Sequence, residues 1–147
     1  MMLRRTCEVL MTALVVIPLM ACQGTNALHK AHERGEGENR SYSVSQDQAW
    51  DISRHVLQWE GSSSIEEHRE KNCMMASFGV NLVSWGSRAG VWIEKCGEES
   101  SIVTVICKRK MATSLATIMT EETFQRLFAR GVEIVKSGDP LPEEKPE

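Results

Sequence analysis

Proline is missing from the long middle of this chain. One of the four prolines is Pro18, and the other three, Pro140, Pro142 and Pro146, stand near the C-terminus. The stretch from 23 to 139 can therefore carry helices and strands without the breaks that proline imposes. Aromatic side chains are scarce, at 5% of 147 residues, and half of them are Trp. A few large rings must therefore carry much of any core. Positive charge is not in excess: the formal net charge is −3, and removing Arg4, Arg5 and Glu8 with an N-terminal segment would bring it near −4. That balance argues against a nucleic-acid binder, which needs concentrated positive charge. No apolar run reaches the ~20 residues that cross a bilayer. The longest, Val9 to Ala21, is interrupted by Thr12 and Pro18. No catalytic, metal or nucleotide motif stands out, and the length fits one domain.

The N-terminus, by contrast, is informative. Arg4 and Arg5 precede the short apolar run, which closes on the small Ala21. A basic start, a short apolar stretch and a small residue at its end form the pattern of a cleavable export signal, with the cations held on the cytoplasmic side. The run ends Leu19-Met20-Ala21-Cys22. These four residues resemble the lipobox of bacterial prolipoproteins, and the resemblance covers the first 22 residues only. It implies cleavage between Ala21 and Cys22, with the Cys22 thiol carrying a diacylglyceryl group, so that the only cofactor-like group is this covalent lipid. Two or more acyl chains hold a protein stably on a membrane, at ~0.8 kcal/mol per buried methylene. In enterobacterial members of the family, Asp after the Cys favours the inner membrane. Gln23 at that place implies the periplasmic face of the outer membrane.

Four segments are expected: a signal over 1–21, a lipidated Cys22 with a flexible tether over 22–40, a folded domain over 41–138, and a disordered Pro/Glu tail over 139–147. The tether is polar and Gly-punctuated, with little to bury. As a coil it would hold the domain ~20–25 Å from the bilayer. His29 and His32 within it are expected to be solvated, with Gly35 and Gly37 opposing a helix.

In the folded part, Ser45 and Gln48 form a capping box, with Val44 and Ala49 as its hydrophobic staple. Ala49, Ile52, Val56 and Trp59 follow as one helical face. Ile65 to Arg69 reads as a polar edge strand whose charges, Glu66 to Lys71, protect the edge. Cys73 to Phe78 reads as a strand, and residues 84–87 as a turn. Val91 to Cys96 and Ile102 to Cys107 form a hairpin around Gly97–Ser100. Thr120 caps a last helix carrying Phe124, Leu127, Phe128, Gly131 and Val135 on one stripe. The order helix, three or four antiparallel strands, helix predicts an α+β two-layer sandwich with both helices on one sheet face.

Three cysteines remain in an oxidising compartment. A hairpin register with Cys96 opposite Ser101 and Cys107 opposite Gly90 separates those two, and a turn near residues 84–85 brings Cys73 opposite Cys96. A Cys73–Cys96 disulfide is therefore expected, with Cys107 a buried small residue. A Cys–His hydrolase drawing on Cys73, Cys96 or Cys107 with His55 or His68 is the enzyme alternative, and nothing in the spacing fixes such a pair or a zinc site. Lys108, Arg109 and Lys110 could touch anionic headgroups, and Trp85 could make a membrane or partner contact. The expected role is a non-catalytic interaction or structural protein of the envelope, held to the membrane by its lipid, with an envelope protein as partner. A binder of an apolar or lipidic ligand between the sheet and the last helix is the second reading.

Overall fold

The computed structural model describes residues 23–79, 86–109 and 119–147. The fold is α+β. Helix α1 (Gln23–Glu33) and strand β1 (Glu38–Tyr42) precede helix α2 (Gln46–Trp59). Strands β2 (Ser62–His68), β3 (Cys73–Phe78), β4 (Ser87–Gly97) and β5 (Ser100–Arg109) follow, and helix α3 (Glu121–Lys136) ends the ordered elements. All strand pairs are antiparallel, in the order β1-β5-β4-β3-β2.

Local chemistry sets the two long helices. The Ser45 side chain accepts from the Gln48 backbone while the Gln48 side chain closes the box onto Ser45 N–H, at 3.3 and 3.0 Å. Thr120 accepts from Thr123 N–H at 3.1 Å, with Glu121 and Glu122 in the first turn, where the helix dipole favours anions. Both helices lie on one sheet face. Ile52, Val56, Leu57, Phe124 and Phe128 are fully buried there against Met74, Val91, Ile93, Val103 and Val105. The helices cross at Gly131, where an added Cβ would stand 2.6 Å from Ile52 Cγ2. A side chain there would push them apart. Gln125, wholly buried on α3, receives the Tyr42 hydroxyl at 2.7 Å and donates to the Glu38 and Val103 carbonyls at 3.0 and 3.1 Å. It thereby fastens the edge strand β1 to the layer above it.

The expected tether over 22–40 is corrected. Residues 23–33 form α1, which packs on the opposite sheet face, and Glu38 to Tyr42 form β1. The two-layer core thus gains a third, smaller layer. Gly35 ends α1 rather than opposing it: its φ is +72°, its N–H bonds to His32 O, and Glu36 N–H reaches back to Ala31 O. That is a Schellman closure, which favours glycine at this place. Gly37 follows because the chain runs against β5, where a Cβ would fall 2.6 Å from the Val105 carbonyl oxygen.

The disordered tail over 139–147 is also corrected. Leu141 packs onto the α2–α3 core, the Trp59 indole N–H donates to the Pro142 carbonyl at 3.0 Å, and Lys145 pairs with Glu60 at 2.5 Å. An indole N–H at the end of α2 needs an acceptor, and the prolines keep the strap extended while they supply it.

On β2, the Glu67 carboxylate accepts from the Trp50 indole at 2.7 Å and from Arg54 at 2.6 Å. Arg54 beside it, with the Trp50 bond, holds the carboxyl below its ordinary 4.5 against the opposing effect of burial. Because the folded group titrates below the unfolded one, its contribution is complete above the unfolded value and fades as pH falls through the folded value. Glu67→Gln should therefore lose about 0.5–1.5 kcal/mol at neutral pH. It should also flatten the fall in stability on acidification below pH ~4.5. Urea melts at pH 7 and pH 3 test both. An equal loss at the two pH values would refute the assignment.

Candidate functional site

The face opposite the main core alternates along each strand in step with the pleat. Cys73 and Met75 on β3, Gly90 and Trp92 on β4, and Thr104 and Ile106 on β5 point to it. Gly90 matters for its missing side chain: the Trp92 indole lies over it, and an added Cβ would come within 2.6 Å of the ring. Helix α1 covers this indole. Leu28 and Ala31 are buried against the small cluster of Cys73, Met75, Trp92 and Ile106. His32 stacks on Trp92 with ring centroids 4.2 Å apart and planes 8° apart, while His29 meets it edge-on at 5.8 Å. The C-terminal end of the helix is pinned by Glu36, which accepts from Lys108 at 2.7 Å and from Arg34. These two cations hold the Glu36 carboxyl below its ordinary value.

The N-terminal end of α1 does not reach across β3 to the β2 edge. A groove of about 460 Å³ remains there, bounded by Thr25, Asn26 and His29 on the helix, His68 on β2, Lys71 beyond it, and Arg88 on β4. His68 has the Glu66 and Glu70 carboxylates 3.7 Å from its two ring nitrogens. Arg88 stands between Ser77 and Lys108 across the strands. Its Nε is buried and has no hydrogen-bond partner among the described residues. A larger groove of about 890 Å³ runs along the outer face of α3. There Arg40 and Arg130 are paired with Glu38 and Glu133, and the side chains are about half exposed. Arg40 and Arg130 there have carboxylate partners, whereas the Arg88 Nε has none among the described residues.

The cysteines are not joined. Cys73 lies opposite Trp92 rather than Cys96, and Cys96 is the extra residue of a bulge between Lys95 and Gly97. That puts it four positions along β4 from Trp92, roughly 13 Å away and beyond disulfide reach. The same bulge slips the hairpin by one, so that Cys107 faces Ala89 and not Gly90. All three thiols are free: Cys73 buried, Cys96 exposed, Cys107 between these. Burial pushes the Cys73 and Cys107 thiols up, with the Glu121 charge adding to the effect at Cys107. A maleimide should therefore label native Cys96 quickly and the other two only after unfolding, as peptide mass mapping reads out. Labelling of Cys73 at the rate of Cys96 would contradict the packing of α1.

His68 is the cross-strand neighbour of Cys73, yet no hydrogen bond joins them. His55 lies on α2 with its Nδ1 against the Asp51 carbonyl, on the other side of the sheet. Neither arrangement supplies the thiolate–imidazole contact that a Cys–His nucleophile requires. Among the described residues no group of three His, Cys, Asp or Glu side chains is placed to hold a metal. Phe124, Phe128 and Val132 are buried between the sheet and α3, the place that the second reading gives to a ligand. Of the basic run, Lys108 is tied to Glu36, Arg109 ends β5 and also has a partner, and Lys110 lies outside the described residues, as do Ala21, Cys22 and Trp85. No helix among the described residues is long and apolar enough to cross a membrane. No family model matches the chain, and comparison with curated proteins yields no match.

Sequence reasoning missed Arg88 as a site residue, because Ser84 to Ser87 reads as a turn and hides the start of β4. The period-two alternation through Ala89, Val91 and Ile93 carries the only signal, since it puts Arg88, Gly90 and Trp92 together on the other face.

Proposed function

We propose that this chain is a bacterial envelope lipoprotein, acylated at Cys22 and held at the periplasmic face of the outer membrane, with a domain that acts by contact rather than by catalysis. The lipobox Leu19-Met20-Ala21-Cys22 behind a basic, short apolar run carries the reading. The raised Cys73 and Cys107 thiols favour a contact role over a thiol nucleophile. With α1 docked, the domain stands against the bilayer instead of 20 Å above it. An envelope protein is the expected partner.

Intact-mass analysis of the full chain recovered from bacterial membranes tests this. The expected species begins at Cys22 and carries a diacylglyceryl mass, and Cys22→Ala abolishes both acylation and cleavage. A mature chain starting elsewhere, or starting at Cys22 without acyl mass, would overturn it.

A further inference from the structure

We infer that the groove between the N-terminal half of α1 and strands β2–β4 binds a phosphate group, with the Arg88 guanidinium as its principal donor and a phospholipid headgroup beside the protein's own anchor as its source.

Three observations meet here. The first is the unpartnered Nε of Arg88, buried at the groove wall. A guanidinium offers a planar fork of donors, and a buried donor left unpaired keeps its desolvation penalty without a hydrogen bond to offset it. Phosphate and carboxylate oxygens are the acceptors that match that fork bidentately. The second is the charge around it. Lys71, His29 and His68 line the same groove, and Glu66, the acid in its lining, has a side chain 67% exposed and engaged with His68.

The third is position. Thr25 lines the groove and lies three residues after Cys22. Three residues span at most about 11 Å of chain whatever their path. The headgroup layer of one leaflet is roughly 5–8 Å deep. A groove leashed this closely to an acylated residue opens among lipid phosphates, which are present there at far higher density than any free anion. The choice of lipid as source rests on acylation at Cys22. The anion site itself does not.

The test uses the full chain, labelled with ¹⁵N-arginine and held first in a phosphate-free maltoside detergent. The Arg88 Nε–Hε resonance is assigned by its loss in Arg88→Lys, and a thermal melt of that variant checks folding. Inorganic phosphate should move and protect this resonance, and isothermal titration with phosphate should show about a tenfold or greater loss of affinity in Arg88→Lys. Arg126→Gln, on the outer face of α3, should leave binding unchanged. Transfer into phosphatidylglycerol nanodiscs without added phosphate should move the same resonance in the same direction. A resonance unmoved by both probes overturns the site. Movement by inorganic phosphate but not by nanodiscs overturns the lipid source. Movement by phosphate in a protein that proves to carry no acyl mass upholds the anion site and overturns lipidation, so the two failures are told apart.

Discussion

Phe128→Ala is expected to lower the stability of the domain by about 3–5 kcal/mol, the range for removing a buried ring. A domain of this size holds only about 5–15 kcal/mol in total. Phe128 is wholly buried on α3, 4.5 Å from the Tyr42 ring and 6.0 Å from Phe124. Aromatic contacts of this kind add about 0.5–1.5 kcal/mol beyond burial. The surroundings also resist collapse into the cavity. Tyr42 is fixed at its far end by the bond to Gln125, and α3 is held to α2 by the close approach at Gly131. A site that cannot relax retains its cavity, which moves the loss toward the upper end of the range. Urea unfolding should show a lower midpoint with an unchanged slope. A matched change on the exposed face, Arg126→Ala, should stay within about 0.5 kcal/mol. A Phe128→Ala loss below about 1.5 kcal/mol would mean that α3 does not pack on the sheet as described.

The main core was legible because its signals are local. Ser45 and Gln48 cap α2, Thr120 caps α3, and the stripes through Ile52 and Phe128 have a helical period that no other element would satisfy. Strand β3 falls where its apolar run falls. The hairpin was read, yet its register was not, because a bulge is invisible in composition: the spare residue could sit at Lys95, Cys96 or Gly97 with the same sequence. One slipped position was enough to pair Cys96 with the wrong neighbour and suggest a disulfide.

The N-terminal layer was illegible for a different reason. Only Leu28 and Ala31 of α1 are buried apolar residues, so the helix has almost no stripe of its own. Its stability comes from the surface that Trp92 presents across Gly90, and such tertiary support cannot be read from the helix segment alone. The glycines that seemed to forbid a helix are its terminator and the close pass over β5. The C-terminal strap was missed likewise, since its partners Trp59 and Glu60 lie some eighty residues earlier.

That dependence makes Trp92→Ala the most diagnostic change. Removing the indole takes away the platform for His32, His29 and Leu28 together, with an expected loss of about 3–5 kcal/mol. The loss should be local in a way that Phe128→Ala is not. The sheet keeps its other face, where α2 and α3 pack, so the core can remain folded while α1 opens. Hydrogen exchange should then show the amides of residues 27–34 losing protection while those of 52–57 keep theirs. Uniform loss in both segments would show that α1 belongs to the main cooperative unit. In an acylated protein, opening has a spatial readout as well. With α1 docked, about three residues separate the anchor from the fold. With α1 released, the free chain runs from Cys22 to Gly37 and reaches ~20 Å as a coil. Energy transfer from a dye on the exposed Cys96 to a labelled bilayer should therefore fall in Trp92→Ala and not in Phe128→Ala under native conditions. If Cys22 is acylated as proposed, the docked helix is what would hold the Arg88 groove at the headgroups.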